Sequence, residues 1–304
     1  MTPIPPLGEA GPATRILVAG YGVMTAGIIP HLTGLPRTHV TIASRHLKEP
    51  VPGTTLLHPG AVASARPDVV LGCFADDDTS RSFWTHPQTR AAITSRRATC
   101  IELSTISPGW AEDWHQHITA VGGLPVECPV TGSRPGARTG TLTGFLHSPA
   151  PLTGEGRRVL EAFTAKRFHF STPGNPARFK LIFNAWGAAL LHCLGVFARQ
   201  LPEHLGEDYP TAAEAITSVG WMAPLAASKL KRIEQADYGD PDFAVRHMLK
   251  DLALAQELLG DLPLVTATAA AYAAAAAVHG PWADFTAVAD PPGDIPCTPT
   301  TSPR

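Results

Sequence analysis

The chain has 304 residues and a formal net charge of −2, from 24 basic and 26 acidic side chains. That balance leaves no electrostatic footprint for nucleic acid or an anionic membrane, and the length suits two domains better than one core. Its five cysteines are scattered, odd in number and without ligand spacing. They read as buried or incidental thiols of a reducing cytoplasm, not as disulfides or a metal site.

The opening MTPIPPLGEAGPATR lacks a basic region followed by an apolar run, so no signal peptide is expected and residues 1–13 read as a disordered head. Arg15–Ala19 is a short apolar run of the kind that forms a fully buried parallel strand. Gly20-Tyr21-Gly22 follows, and Val23–Leu32 then reads as a helix. His39–Ala43 is a second strand, ending at Ser44-Arg45-His46. Asp68–Phe74 and Thr99–Leu103 are the next strands, with one helix, Ser80–Ser95, between them. Val126–Val130 and Thr141–Leu146 are two more, Gly154–Phe163 is helical, and no strand is expected beyond Phe170. Strands alternating with helices imply right-handed crossovers and a parallel sheet. The predicted fold is therefore an α/β Rossmann-type domain over 14–171 followed by an all-α domain over 172–290. A Pro/Thr-rich tail over 291–304 reads as disordered.

The helical half begins with Pro176–Gln200, rich in Leu, Ala and Phe. Asn175 is the expected N-cap and Pro176 a first-turn proline. A helix apolar on most faces is expected to lie buried between other elements. Lys180 and Asn184 are one turn apart on one face. Taken alone, Lys180 reads as a stem that buries its methylenes and snorkels its ammonium to water. No apolar window qualifies as a membrane span, since each is interrupted by Asn184, His192 or Arg199, or is poly-Ala. The poly-Ala stretch Thr266–Val278 has little bulk of its own and is expected to pack closely, on the long helix or on a second subunit.

A glycine-rich turn after a first strand lets the backbone approach a pyrophosphate at the next helix N-terminus. The fingerprint here is Gly20-Tyr21-Gly22-Val23-Met24-Thr25, with Thr25 in place of the third glycine, where close helix–strand packing leaves little room for a β-branch. The tip of the second strand carries Ser44 and Arg45 with no carboxylate before Glu49. An acidic residue there would accept from the ribose 2′-hydroxyl, whereas arginine suits a 2′-phosphate, so NADPH is expected over NADH.

Further motifs stand in order: Ser104-Thr105-Ile106-Ser107-Pro108, Cys128-Pro129-Val130-Thr131-Gly132-Ser133, Gly136–Leu142, Lys180-Leu181-Ile182-Phe183-Asn184, and Phe243 through Lys250-Asp251-Leu252-Ala253-Leu254-Ala255. Together they resemble the signature series of the β-hydroxyacid dehydrogenases, which include 3-hydroxyisobutyrate dehydrogenases and are related to 6-phosphogluconate dehydrogenase and imine reductases. The resemblance implies that Lys180 is the catalytic general acid/base and that Asn184 orients it. It implies that Thr131, Gly132 and Ser133 hold a substrate carboxylate. Phe74, Ala75, Thr79, Thr105 and Lys250 join Gly20, Gly22, Val23, Met24, Ser44 and Arg45 as cofactor-binding residues. Ala75 departs from the family's Leu-Pro pair, and Thr131 and Ser133 depart from its Ser-Gly-Gly, the last two crowding the carboxylate loop. A homodimer or larger assembly through the helical half is also implied.

The function expected is NADPH-dependent reduction of a small carbonyl acid, with no metal and no nucleic-acid or membrane partner. One alternative is an imine reductase, although those relatives commonly carry Asp or Tyr where this chain has Lys180. The other is a cofactor-binding module without turnover, which the altered Thr131–Ser133 loop would favour.

Overall fold

The computed structural model describes residues 13–290. The expected tail and all of the expected head but Ala13 lie outside them. The chain divides into two compact units, Met1–Lys180 and Leu181–Arg304.

The first unit is built on six parallel strands: β1 (Thr14–Ala19), β2 (Thr38–Ala43), β3 (Thr54–Leu57), β4 (Val69–Gly72), β5 (Thr99–Glu102) and β6 (Leu124–Glu127). Their spatial order is β3-β2-β1-β4-β5-β6, so the chain reverses direction across the sheet between β1 and β4. Alternation along each strand feeds two cores. Ile16, Val18, Val69, Leu71 and Ile101 enter one, while Leu17, Ala19, Val70 and Cys100 enter the other. Both faces are covered, which is why these strands read as continuous apolar runs.

Helix α1 (Val23–Thr33) follows β1, and α2 (Asp77–Trp84) and α3 (Pro87–Thr94) follow β4. The single helix expected over Ser80–Ser95 is therefore two. Pro87 has no N–H to continue α2, and His86 before it is extended (φ −63, ψ 137). After α4 (Pro108–Ala120), the strand expected over Val126–Val130 also splits. Leu124–Glu127 completes the parallel sheet, whereas β7 (Val130–Thr131) leaves it for a second sheet with β8 (Leu142–Leu146) and β9 (Thr164–His169). Pro129 at the break has no N–H, and its carbonyl accepts from Phe145 of β8 at 3.0 Å. The short β3 and the largely exposed β9 carry no continuous apolar run, and sequence reading passed over both. Helices α5 (Ser133–Thr139) and α6 (Gly154–Glu161) complete the unit.

The second unit is helical: most of α7 (Asn175–Leu205), then α8 (Tyr209–Ser218), α9 (Ala223–Glu234), α10 (Val245–Leu259) and α11 (Pro263–His279). Leu181, Ala185, Ala188 and Leu191 of α7 share one core with Leu252 and Ala255 of α10 and with Tyr272 and Ala275 of the poly-Ala α11. Asn175 lies inside α7 and accepts from Arg178, so it is not the expected cap. Nor is α7 buried on all sides. Ile182, Trp186 (64 % exposed), Val196 and Phe197 (67 % exposed) form an open apolar face. By length and composition the continuous helical stretch Asn175–Ser218 could cross a membrane, contrary to the expectation that no window qualifies. Its inward residues nevertheless lie in the helical core described above.

Candidate active site

All six strands are parallel, so the loops leaving β1, β2, β4 and β5 emerge on one edge of the sheet, on either side of the point where the strand order reverses. In open α/β sheets this is where ligands bind. Gly20 leaves β1 with φ +85, and a Cβ there would stand 2.2 Å from the Cys73 carbonyl oxygen, so only glycine fits. A Cβ on Gly22 would meet nothing within 4 Å, which leaves open space over the start of α1. Tyr21 and Val23 are exposed and Met24 is partly buried. A close backbone turn with free space before a helix N-terminus fits a dinucleotide phosphate.

Thr25, the departure from the glycine fingerprint, is fully buried, and its hydroxyl accepts from Gly22 N–H at 2.9 Å. It supports the turn from inside the helix. Close packing is met two residues later at Gly27, whose Cβ would lie 2.8 Å from that of Ala137 on α5. His31 Nε2 donates to the Ala137 and Arg138 carbonyls at 3.1 and 3.0 Å, fixing α1 to α5 again.

At the tip of β2, Ser44 Oγ accepts from His46 N–H (3.1 Å) and Leu47 N–H (3.2 Å). The buried serine folds the turn and leaves Arg45 exposed at its crest. After β4, Phe74 N–H donates to Ser104 Oγ at 2.6 Å, tying the Phe74-Ala75 segment to the Ser104-Thr105 segment after β5. Glu102 lies beneath both, fully buried. Its carboxylate accepts from Ser80 Oγ (2.6 Å), Trp84 Nε1 (2.7 Å), Ser104 N (2.9 Å) and Ser104 Oγ (2.5 Å). Burial pushes this carboxyl above its ordinary value, against the four donors that pull it down. Thr79 sits in the first turn of α2, its N–H donating to Asp76 Oδ1 at 2.8 Å. Asp77 on the same turn accepts from both the N–H and the hydroxyl of Ser107.

The Thr131-Gly132-Ser133 loop leads from β7 into α5. Gly132 has φ +123 and Ser133 φ +51, so serine holds a left-handed backbone where the family pattern has glycine. Lys180 is 6 % exposed and is the one buried lysine or arginine among the described residues, so the snorkelling reading does not describe it. Asn184, one turn on, donates from Nδ2 to Asp251 Oδ2 at 2.5 Å. Asp251 is 1 % exposed, and Lys250 Nζ lies 2.7 Å from its other oxygen. The motif points to Lys250, and the structure adds the neighbouring Asp251, which holds both Asn184 and Lys250. The structure likewise adds Glu102, Ser104 and Glu127; the acidic residue ending each of β5 and β6 is the available signal.

The family model for the NAD binding domain of 6-phosphogluconate dehydrogenase matches residues 15–171. An uncharacterised oxidoreductase of Synechocystis is 27 % identical over 262 residues, covering 83 % of this chain and 89 % of that protein. The glyoxylate/succinic semialdehyde reductase 1 of Arabidopsis thaliana is 26 % identical over 192 residues, 62 % of this chain and 66 % of that one. The match to mouse cytokine-like nuclear factor N-PAC, 23 % identical, covers 79 % of this chain but only 43 % of that protein. Among solved structures, the Mycobacterium tuberculosis 3-hydroxyisobutyrate dehydrogenase aligns with TM-score 0.71 and 25 % identity over 91 % of this chain and 98 % of that chain. Imine reductase from Myxococcus stipitatus shares the fold at TM-score 0.58 and 16 % identity, over 91 % of this chain and 98 % of that one. Sheet, glycine turn and helical unit together are those of an oxidoreductase that uses a nicotinamide dinucleotide. The chain belongs to the β-hydroxyacid dehydrogenase family.

Proposed function

We propose that the protein reduces a small carbonyl acid, a semialdehyde or keto acid, to the hydroxy acid with NADPH. The observation that carries this is Lys180, a buried lysine in the first turns of a long helix with Asn184 one turn further on. When bound, the nicotinamide cofactor would supply the hydride. Lys180 stabilises the negative charge growing on the carbonyl oxygen and delivers the proton, a contribution of typically about 10²–10⁴-fold. Asn184, itself held by Asp251, orients that ammonium. Thr131, Gly132 and Ser133 receive the substrate carboxylate, and Arg45 receives the 2′-phosphate. Lys250 is assigned to the cofactor on the family pattern. The similarity to the Arabidopsis glyoxylate/succinic semialdehyde reductase supports the substrate class.

The exposed apolar face of α7 suits a second copy of this chain, and we assign it to a homodimer. NADPH oxidation followed at the nicotinamide absorbance, against glyoxylate, succinic semialdehyde, other aldehyde and keto acids and cyclic imines, tests the reading. Turnover of carbonyl acids is expected. Turnover of imines alone, or of nothing in the panel, would overturn it.

A further inference from the structure

β5 and β6 each end on a glutamate, and the two are direct cross-strand neighbours, Glu102 beside Glu127, both fully buried. Glu102 serves the cofactor segments. Glu127 does something different. Its Oε2 accepts from Gly174 N–H and its Oε1 from Ala177 N–H, each at 2.8 Å, so one carboxylate grips the first turn of α7 with both oxygens. It thereby takes the place of the N-cap that Asn175 does not provide. A helix N-terminus presents unpaired N–H groups and a partial positive charge, and a buried carboxylate satisfies both needs. His115 Nε2 stands 3.4 Å from Oε2. The backbone of Glu127 is fixed as well, its N–H donating to the His147 carbonyl at 3.0 Å.

Two elements of the proposed chemistry hang on this one residue. Lys180 follows Ala177 by three residues, about 4.5 Å along the helix axis. In the other direction, four residues of chain lead from Glu127 to Thr131, where the proposed carboxylate loop begins. The side chain of Glu127 thus holds the helix that carries the proton donor, and its backbone leads into the loop that would hold the substrate. We infer that Glu127 is a positioning residue for Lys180, fixing the register between the general acid and the substrate loop. The inference rests on the proposed role of Lys180. General acid catalysis needs hydrogen-bond reach, and an error near 1 Å at the reacting group costs about 10²-fold.

Glu127→Gln keeps the size and one acceptor oxygen but turns an amide NH₂ toward one of the two N–H donors, so the first turn shifts while the core stays filled. The expected result is a kcat at least tenfold lower, with the Kd for NADPH within threefold and KM changed less than kcat. Glu127→Asp keeps the charge at a shorter reach and should fall between the two; it also serves if the glutamine variant does not fold. The decisive measurement is the cycle with Lys180→Ala. If Glu127 acts through Lys180, adding Glu127→Gln to Lys180→Ala lowers kcat by less than twofold further. An equal tenfold loss in both backgrounds, or no kcat loss from Glu127→Gln alone, overturns the inference. An unchanged kcat in Lys180→Ala overturns the proposed function instead. Hydrogen exchange of the Gly174 and Ala177 amides judges the tether without any substrate. At least tenfold faster exchange in Glu127→Gln is expected, and unchanged protection overturns the inference.

Discussion

At the edge of the parallel sheet, the candidate residues outside the first turns of α1 and α2 stand in loops whose shape depends on partners elsewhere in the chain. Gly20 turns against the Cys73 carbonyl, Phe74 hangs on Ser104, and Ser104 hangs on Glu102. On α7, by contrast, position follows from the helix period. Lys180, Leu181 and Asn184 turn toward buried surroundings, while Ile182, Trp186 and Phe197 turn out. The comparison teaches that a functional loop needs buried polar scaffolding, whereas a functional helix takes its register from its own period once its first turn is gripped and its inner face is packed. It also predicts different failures. Changes on α7 should act sharply on chemistry or assembly and little on the sheet, and changes at the sheet edge should be graded and spread through the hydrogen-bond network.

The largest effect should come from the inward face of α7. Lys180→Ala is expected to lower kcat by about 10² or more, some 2.7 kcal/mol of transition-state stabilisation, with NADPH affinity and thermal stability nearly unchanged. kcat should fall more than KM rises, because the interaction strengthens as charge develops. Asn184→Ala should lose less. Steady-state rates decide: a Lys180→Ala variant keeping more than about a third of wild-type kcat, with chemistry limiting, would make the inward face no more catalytic than the outward one.

The outward face comes next. If α7 joins two copies, Trp186→Asp places a charge where a large aromatic would be buried, and an interface tryptophan is commonly worth about 2 kcal/mol or more. Light scattering over a dilution series should show dimers for the unmodified chain and a shift toward the 32.1 kDa monomer mass for the variant. A monomer at micromolar concentration in the unmodified protein would leave the face without its proposed occupant.

These two faces also show what was legible from residues alone. The sheet, the glycine turn, the order of the two units and the Lys180–Asn184 pair follow from apolar runs, from one steric requirement at Gly20 and from helical spacing. Local information suffices for each. The break of the strand at Pro129, the second sheet with β9, and the open side of α7 depend on what each segment meets in space. The carboxylates were missed for the same reason. An acidic residue ending a strand reads as solvated until Ser80, Trp84 and Ser104, or Gly174 and Ala177, are seen to converge on it.

At the sheet edge, the cofactor test is about tenfold in scale. NADPH should bind at least ten times tighter than NADH, since an arginine–phosphate pair is among the stronger charge-assisted contacts, and Arg45→Ala should remove most of that preference. Titrating both cofactors by fluorescence measures it. Equal affinities in the unmodified protein would mean that the exposed Arg45 is only a solvated loop residue.

A smaller effect tests the scaffold under the loops. The folded-state pKa of Glu102 is raised from its ordinary 4.5, chiefly by burial. A group raised in this way stabilises the fold while protonated. That contribution is complete below the ordinary value and is lost as pH rises through the raised one, with a slope of at most about 1.4 kcal/mol per pH unit. Denaturant unfolding from pH 4.5 upward should therefore show a decline in the unmodified chain that is absent in Glu102→Gln. The glutamine variant starts from a lower stability, because Trp84 Nε1 then has an amide in place of one carboxylate oxygen. A decline of equal slope in both proteins would assign it to other groups and leave Glu102 as an ordinary ionised carboxylate.

The smallest expected change in stability is at Ser133, where a side chain stands on a left-handed backbone, φ +51. Removing its Cβ relieves roughly 1 kcal/mol of strain. Glycine also adds freedom to the unfolded chain, a loss of roughly 0.5–1 kcal/mol on folding. The two nearly cancel, so Ser133→Gly should leave Tm within about 2 °C of the unmodified value, given a few degrees per kcal/mol at this chain length. Function is where the exchange should register. If Thr131–Ser133 cradles the substrate carboxylate, the glycine widens the loop and KM for the smallest accepted acid should fall several-fold, with kcat within twofold, because Lys180 is untouched. Thermal melts and steady-state kinetics on the same preparation separate the outcomes. A Tm gain of more than about 5 °C with KM unmoved would make Ser133 a point of plain backbone strain, and would move the carboxylate site away from this loop.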